Sequence, residues 1–340
     1  MRLLETLAVK KIIKEIKFMP QPGCLTISLD FELYWGLRDK ETIDSYKNNL
    51  LGVDTAIRAI LDVFSKHGVH ATWATVGFLF SEDKNSLIEY MPKEIPTYDD
   101  ESLCPYKYIN STLELENKFH FASELIELIK EAEGQEIGTH TFSHYYCLEK
   151  GQTKEQFKHD LLSAILIARM KTVSLKTLVF PRNQWNQYYL EVLEECGIRC
   201  YRGNESCILY KGVNNERESQ IIRALRLIDS YICLTGHHTY DYDSCKDGNL
   251  YNIPSSRFLR PYSNKLKNLE FLRMRRIKQA MSNAAKNGRI FHLWWHPHNF
   301  GTNTKENMAF LSRVLEHYSM LKEKYGMNTL NMNELTHKCR

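Results

Sequence analysis

Glycine and proline are scarce in the 340 residues, 16 and 9 of them, which excludes collagen-like, low-complexity and largely disordered chains. No run of about 18 apolar residues occurs, so a membrane-spanning helix is excluded. The opening stretch MRLLETLAVKKIIKEIKFMP also lacks the unbroken apolar segment and small-residue cleavage site of a secretory signal, so a cytoplasmic location is expected. The nine cysteines are scattered, odd in number and contain no CxxC, which argues against a disulfide framework and for reduced thiols. Charge of one sign is lacking too. Lys and Arg number 45 against 41 Asp and Glu, a net +4, too little for a nucleic-acid-binding face.

What is present is the rhythm of an α/β fold. Strand-like runs at Cys24–Phe31, His70–Val76, Glu136–Thr139, Leu178–Phe180, Ile198–Tyr201, Ser256–Leu259 and Ile290–Trp295 alternate with helix-like ones. The helices are expected at Asp54–His67, Ala122–Ala132, Thr153–Val173, Tyr188–Cys196, Leu266–Lys286 and Glu306–Lys324, with Gly68 and Gly197 as stops. Residues 1–20 form a basic amphipathic helix ended by Pro20. Leu4, Ala8, Ile12 and Ile16 make its stripe, and Lys10, Lys11, Lys14 and Lys17 lie opposite. Its stripe packs on the domain's own core or rests on an anionic membrane surface, a peripheral contact with the inner face of the membrane. Length alone suggests roughly two domains at about 150 residues each. However, polar, turn-rich stretches at 81–118 and 202–253 read as insertions around one site, which leaves a single barrel domain over 21–340.

Chemistry collects at the predicted strand ends. Asp30 and Glu32 are two apart on a strand and so share a face. His140 and His144 can converge on one metal if the chain turns helical there. Arg182 stands beside Asn183, Gln184 and Trp185, and the late strand ends at His296-Pro297-His298. Each cluster alone is ordinary buried polarity. Together, two carboxylates, two or three imidazoles and an arginine on one rim match a metal-assisted hydrolase.

The motifs SLDFELYWG, GTHTFSH, FPRNQW and LWWHPHN, with ATWATVG as a second strand, resemble in order those of the polysaccharide deacetylases, the NodB-homology superfamily or carbohydrate esterase family 4. The resemblance spans residues 24–299 and implies a distorted (β/α) barrel of about seven parallel strands. It implies hydrolysis of an N-acetyl group from a sugar, with one divalent metal ion, Zn2+. The metal ligands it implies are Glu32, His140 and His144, with Asp30 as the general base and Arg182 as the arginine that orients it. His296 is implied as the general acid for the leaving amine. An amine leaves poorly unless protonated, which suits an imidazole.

Asn183, Gln184, Trp35 and Trp185 are read as substrate-binding. A backbone N–H near Asn183–Trp185 is expected to share the oxyanion, and the two indoles stack on sugar or fill core. The first motif departs from the common pattern, with Phe31 between its carboxylates, and Asn183-Gln184 stand where prolines are common. The Asp that tunes the acid histidine is sought among Asp229, Asp241 and Asp243. With no secretion signal, the expected substrate is an N-acetylated precursor of a surface polysaccharide or glycolipid, whether nucleotide-linked, lipid-linked or a short oligosaccharide. Two alternatives stand beside this: a related hydrolase of a formamide or ureide, and a carbohydrate-binding barrel without turnover.

Overall fold

A computed structural model describes residues 21–213 and 219–339, so the helix over 1–20, and any membrane contact through it, lies outside the described residues. The first strand, β1 (Cys24–Phe31), is buried along its whole length. Leu25, Ile27, Leu29 and Phe31 are at most 1% exposed, each contributing about 2 kcal/mol of burial. Such a run, apolar with small hydroxyls between, suits a parallel strand covered on both faces. Strand β1 pairs in parallel with β2 (Ala71–Thr75) and, further along the chain, with β9 (Ile290–Trp295).

Beyond β2 come β3 (Gln135–Thr139), β4 (Thr177–Val179) and β5 (Cys200–Arg202), each parallel to the last. A hairpin of β6 (Lys246–Asp247) and β7 (Leu250–Asn252) follows, β7 lying parallel to β5. The chain then runs directly into β8 (Arg257–Phe258), parallel to β9. Backbone bonds from Ile253 and Ser255 to Tyr201 and Gly203, and from Ser256 and Leu259 to His292 and Trp294, carry the ladder from β5 across to β9. The result is the expected distorted (β/α) barrel. Its ring consists of β1 to β5, the 250–259 segment and β9.

The crossover helices cover the outside. Val53–His67 stops at Gly68, which takes the left-handed φ of 60° that favours glycine. Lys154–Met170 starts at the capping box of Thr153 and Gln156, as their spacing predicts. Glu270–Asn287 and Thr304–Tyr325 complete the layer. Among the described residues no helix is long and apolar enough to cross a membrane.

The two insertions differ from their sequence reading. The stretch 81–118 is packed, with short helices Lys84–Glu89 and Pro105–Ser111 and a buried Tyr98 and Tyr106. The stretch 202–253 contains the helix Gln220–Asp229, β6 and β7. At the far end β10 (Asn328–Thr329) pairs with the start of β1, and the helix Met332–Thr336 closes the barrel floor, Met332 N–H donating to Thr72 Oγ1.

Candidate active site

Parallel strands end on the same rim, and the rim carries the chemistry. Asp30 and Glu32 project from the end of β1. After Glu32 the chain turns at once through Leu33, at φ 46°. Gly36 closes that turn against the carboxylate: a Cβ there would stand 2.1 Å from Glu32 Cδ, so only glycine leaves the side chain its place.

From β3 the chain enters His140 and a tight loop instead of the helical turn expected. Thr141 and His144 take left-handed φ values of 63° and 60°, which coil the loop until the two imidazole centroids are 5.0 Å apart. Asp160, fully buried on Lys154–Met170, fixes this loop by accepting from Phe142 N–H, Ser143 N–H and the Ser143 hydroxyl. Non-glycine residues in this region cost about 1–3 kcal/mol each and persist where the surroundings over-determine them.

Glu32 Oε2 lies 3.1 Å from His144 Nε2 and 3.4 Å from His140 Nε2. His140 Nδ1 is 2.8 Å from Val179 O, which can only accept, so Nδ1 carries a proton and Nε2 is the nitrogen turned to the carboxylate. That Nε2 is buried and makes no hydrogen bond. Burial pushes His144 down to about 4, against the pull of Glu32, so its imidazole is neutral at pH 7. One donor atom from each of the three residues lies within 4.8 Å of the others. One carboxylate and two imidazoles, buried and facing one point, fit a catalytic divalent metal and leave positions open. Burial raises Glu32, yet His296, His140 and His144 outweigh it and hold the carboxyl well below its ordinary value.

Asp30 belongs to another network. Arg202 grips it through two parallel bonds, Nη1 to Oδ1 at 2.6 Å and Nη2 to Oδ2 at 2.7 Å. The same guanidinium donates to Ser28 Oγ and Asn183 Oδ1 and lies 4.2 Å from the Trp294 ring centroid. Buried His292 meets Ser28 Oγ at 2.9 Å, and burial pushes its imidazole down to about 3. Burial alone raises Asp30; Arg202 and His140 reverse that and leave it below its ordinary value.

His296 Nε2 stands 3.8 Å from Asp30 Oδ2 and 3.6 Å from Glu32 Oε1. Tyr46 donates to Asn299 Oδ1, which turns the amide nitrogen towards His296 Nδ1 at 3.4 Å. His298 stacks on His296, centroids 5.0 Å apart.

Several expectations need correction. Arg182 does not orient Asp30. It and Asn183 sit at φ 55° and 54°, and the turn aims the Arg182 guanidinium at Asp39 and the Tyr146 ring. Arg202 takes the role, and the signal was available: it ends β5 as the other site residues end their strands. The N–H groups of Asn183 and Gln184 are bonded to Phe180 O and Pro181 O, so neither is offered to an oxyanion. Gln184 is buried against Glu149 and Leu148 N–H, away from any substrate. Trp35 is fully buried, its Nε1 donating to His120 O, and so fills core. Trp185 is partly exposed, 6.0 Å from Tyr201. Asp229 and Asp241 pair with Arg257 and Arg289; among the described residues neither they nor Asp243 contacts His296, whose partner is Asn299.

Residues 42–201 match the family model of polysaccharide deacetylase. No curated protein sequence matches the chain. Among solved structures, a Mycobacterium smegmatis protein provisionally described as a polysaccharide deacetylase superposes with a TM-score of 0.59 at 13% identity, over 95% of this chain and 92% of that one. The 4-alpha-glucanotransferase of Thermococcus litoralis gives 0.51 at 11% identity, over 94% of this chain and 40% of that one. The GH57-type branching enzyme of Pyrococcus horikoshii gives 0.50 at 12%, over 93% and 70%. At such identities these likenesses concern the fold alone. The family model covers the HxxxH loop and the strands that carry it, and residues 42–201 are a polysaccharide deacetylase domain.

Proposed function

We propose that the protein removes the acetyl group from an N-acetylated sugar, using a divalent metal held by Glu32, His140 and His144. Zinc suits one carboxylate with two imidazoles. The observation that carries this reading is the division of labour between two carboxylates on one strand end. Glu32 faces two imidazoles, while Asp30 is held by Arg202. When bound, the metal polarises the acyl oxygen and makes water easier to deprotonate.

The protein's own groups supply the rest. Asp30, held anionic and in one plane by the Arg202 fork, accepts the proton of the attacking water. His296 stands on the same rim, and its imidazolium form delivers a proton from Nε2 to the departing amine, leaving the neutral imidazole. The stack with His298 and the bond to Asn299 hold its ring. The proposed setting is the cytoplasm, acting on a precursor of a surface polysaccharide or glycolipid.

The test is acetate release from N-acetylated monosaccharides and oligosaccharides, with and without a chelator. Release that stops with chelator and returns with zinc is expected. Release indifferent to chelator, or only formate from N-formyl sugars, overturns the reading.

A further inference from the structure

The helix Gln220–Asp229 packs on the domain by its polar side. Its one fully buried side chain is a carboxylate, Asp229, held by Arg257 of β8. Its isoleucines face away. Ile221 and Ile228 are 71% and 45% exposed, and Ile232, in a further turn closed by its N–H on Ile228 O, is 55% exposed. Spacings of seven and four put the three on one side of the helix. Leu234, 51% exposed, follows at its end. A buried carboxylate with an apolar face left in water is the reverse of ordinary burial, and such a face marks an interaction site.

The surface continues onto the neighbouring helix. Arg276 donates to Asp229 O and Gly236 O and so holds the segment 229–236 against Glu270–Asn287. There Phe271 is 64% exposed, and it lines one groove with His237, Arg275 and Lys278. Charge around these apolar side chains is of one sign. Arg223, Lys265, Lys267, Arg275 and Lys278 make no ion pair among the described residues. The carboxylates within 219–236 and 264–278 are Asp229 and Glu270, and arginines take both. The first helix also walls the cleft. Its Arg226, and Ser230 just after it, line with Trp294 a cavity of about 280 Å3, and the Trp294 ring lies 5.7 Å from that of His296.

We infer that this face docks on an anionic lipid bilayer. The isoleucines and Phe271 enter the boundary between headgroups and acyl chains, while the Arg and Lys side chains meet the lipid phosphates. A second copy of the chain fits less well, since a two-fold contact would set these cations against themselves. A nucleic acid would gain nothing from the isoleucines. On the deacetylase reading of the rim, docking sets the cleft at the headgroup layer, where a lipid-linked N-acetyl sugar presents its sugar to His296.

Cosedimentation of the full chain with vesicles tests the surface. Vesicles of equal parts phosphatidylcholine and phosphatidylglycerol are expected to carry wild type down. Phosphatidylcholine alone should carry far less, and high salt should remove the difference. Ile221→Gln with Ile228→Gln, and Arg223→Gln with Arg275→Gln, should each weaken binding by about tenfold or more at an unchanged urea midpoint. No binding by wild type, or unchanged binding in either variant, as when residues 1–20 alone carry it, overturns the inference. So does a wild-type dimer in sedimentation velocity that the isoleucine pair splits. Vesicle binding with no acetate release from any sugar leaves the docking face standing and the deacetylase reading fallen; acetate release without vesicle binding does the reverse.

Discussion

Two buried arginine–aspartate pairs flank the cleft, and they are finished differently. Arg202 makes four hydrogen bonds with its two terminal nitrogens, to Asp30 twice, Ser28 and Asn183, and it stacks on Trp294. Arg257 also holds an aspartate, Asp229, but through Nη1 alone, and Nε lacks a hydrogen-bond partner in both arginines. The first pair fixes a carboxylate in one orientation. The second ties the helix Gln220–Asp229 to β8.

The largest effects should separate the two pairs. Arg202→Gln leaves Asp30 buried without its cation, and urea unfolding should show a loss of about 3–5 kcal/mol. It should also lower kcat by about a hundredfold or more, since the base loses its orientation. Asp229→Asn should destabilise by a similar ~3 kcal/mol, through stranded Arg257 and Arg276, while leaving kcat on a neutral N-acetyl sugar within a few-fold. Equal losses of kcat in both would erase the distinction. His296→Ala should lower kcat by about a hundredfold with little change in stability, measured on the same substrate.

A smaller effect concerns the place of Glu32. Gly36→Ala puts a Cβ into the carboxylate and should weaken metal affinity by roughly 10–100-fold, as other changes beside a ligand do, by metal titration of the folded variant. Unchanged affinity would show that Glu32 can move and still bind.

The smallest effect is in pH. Unfolded histidine takes its proton near about 6.5, but buried His292 only near about 3, so between these values the unfolded chain binds more protons. Stability therefore falls as pH drops below about 6.5, by at most ~1.4 kcal/mol per unit from this group. His292→Gln should flatten that slope in denaturant titrations between pH 7.5 and 5. Burial raises Asp229 but Arg257 outweighs it, so its pair keeps its contribution until pH falls below about 3.8.

Residues whose role follows from strand period and strand ends were legible in the sequence. Asp30 and Glu32 share a face because the strand repeats every two residues, and His140, His144 and His296 end strands of one parallel sheet. What failed was anything set by backbone twist after the strand. Two consecutive left-handed residues turn Arg182 away, and no propensity marks Arg182 or Asn183 for that. Arg202 was hidden because the strand was ended one residue early, at Tyr201, and the next residue assigned to an insertion. Trp35 and Gln184 stand in motifs that suggest substrate contact, yet Phe78 and His120 enclose the indole and Glu149 takes the amide.

The central claim is that Glu32, His140 and His144 hold the metal while Asp30 moves the proton. It is tested most directly by measuring metal content and acetate release together in Asp30→Asn. One metal per chain with acetate release down about a hundredfold or more is the result predicted. Loss of the metal with the substitution, or full metal with wild-type acetate release, would contradict it.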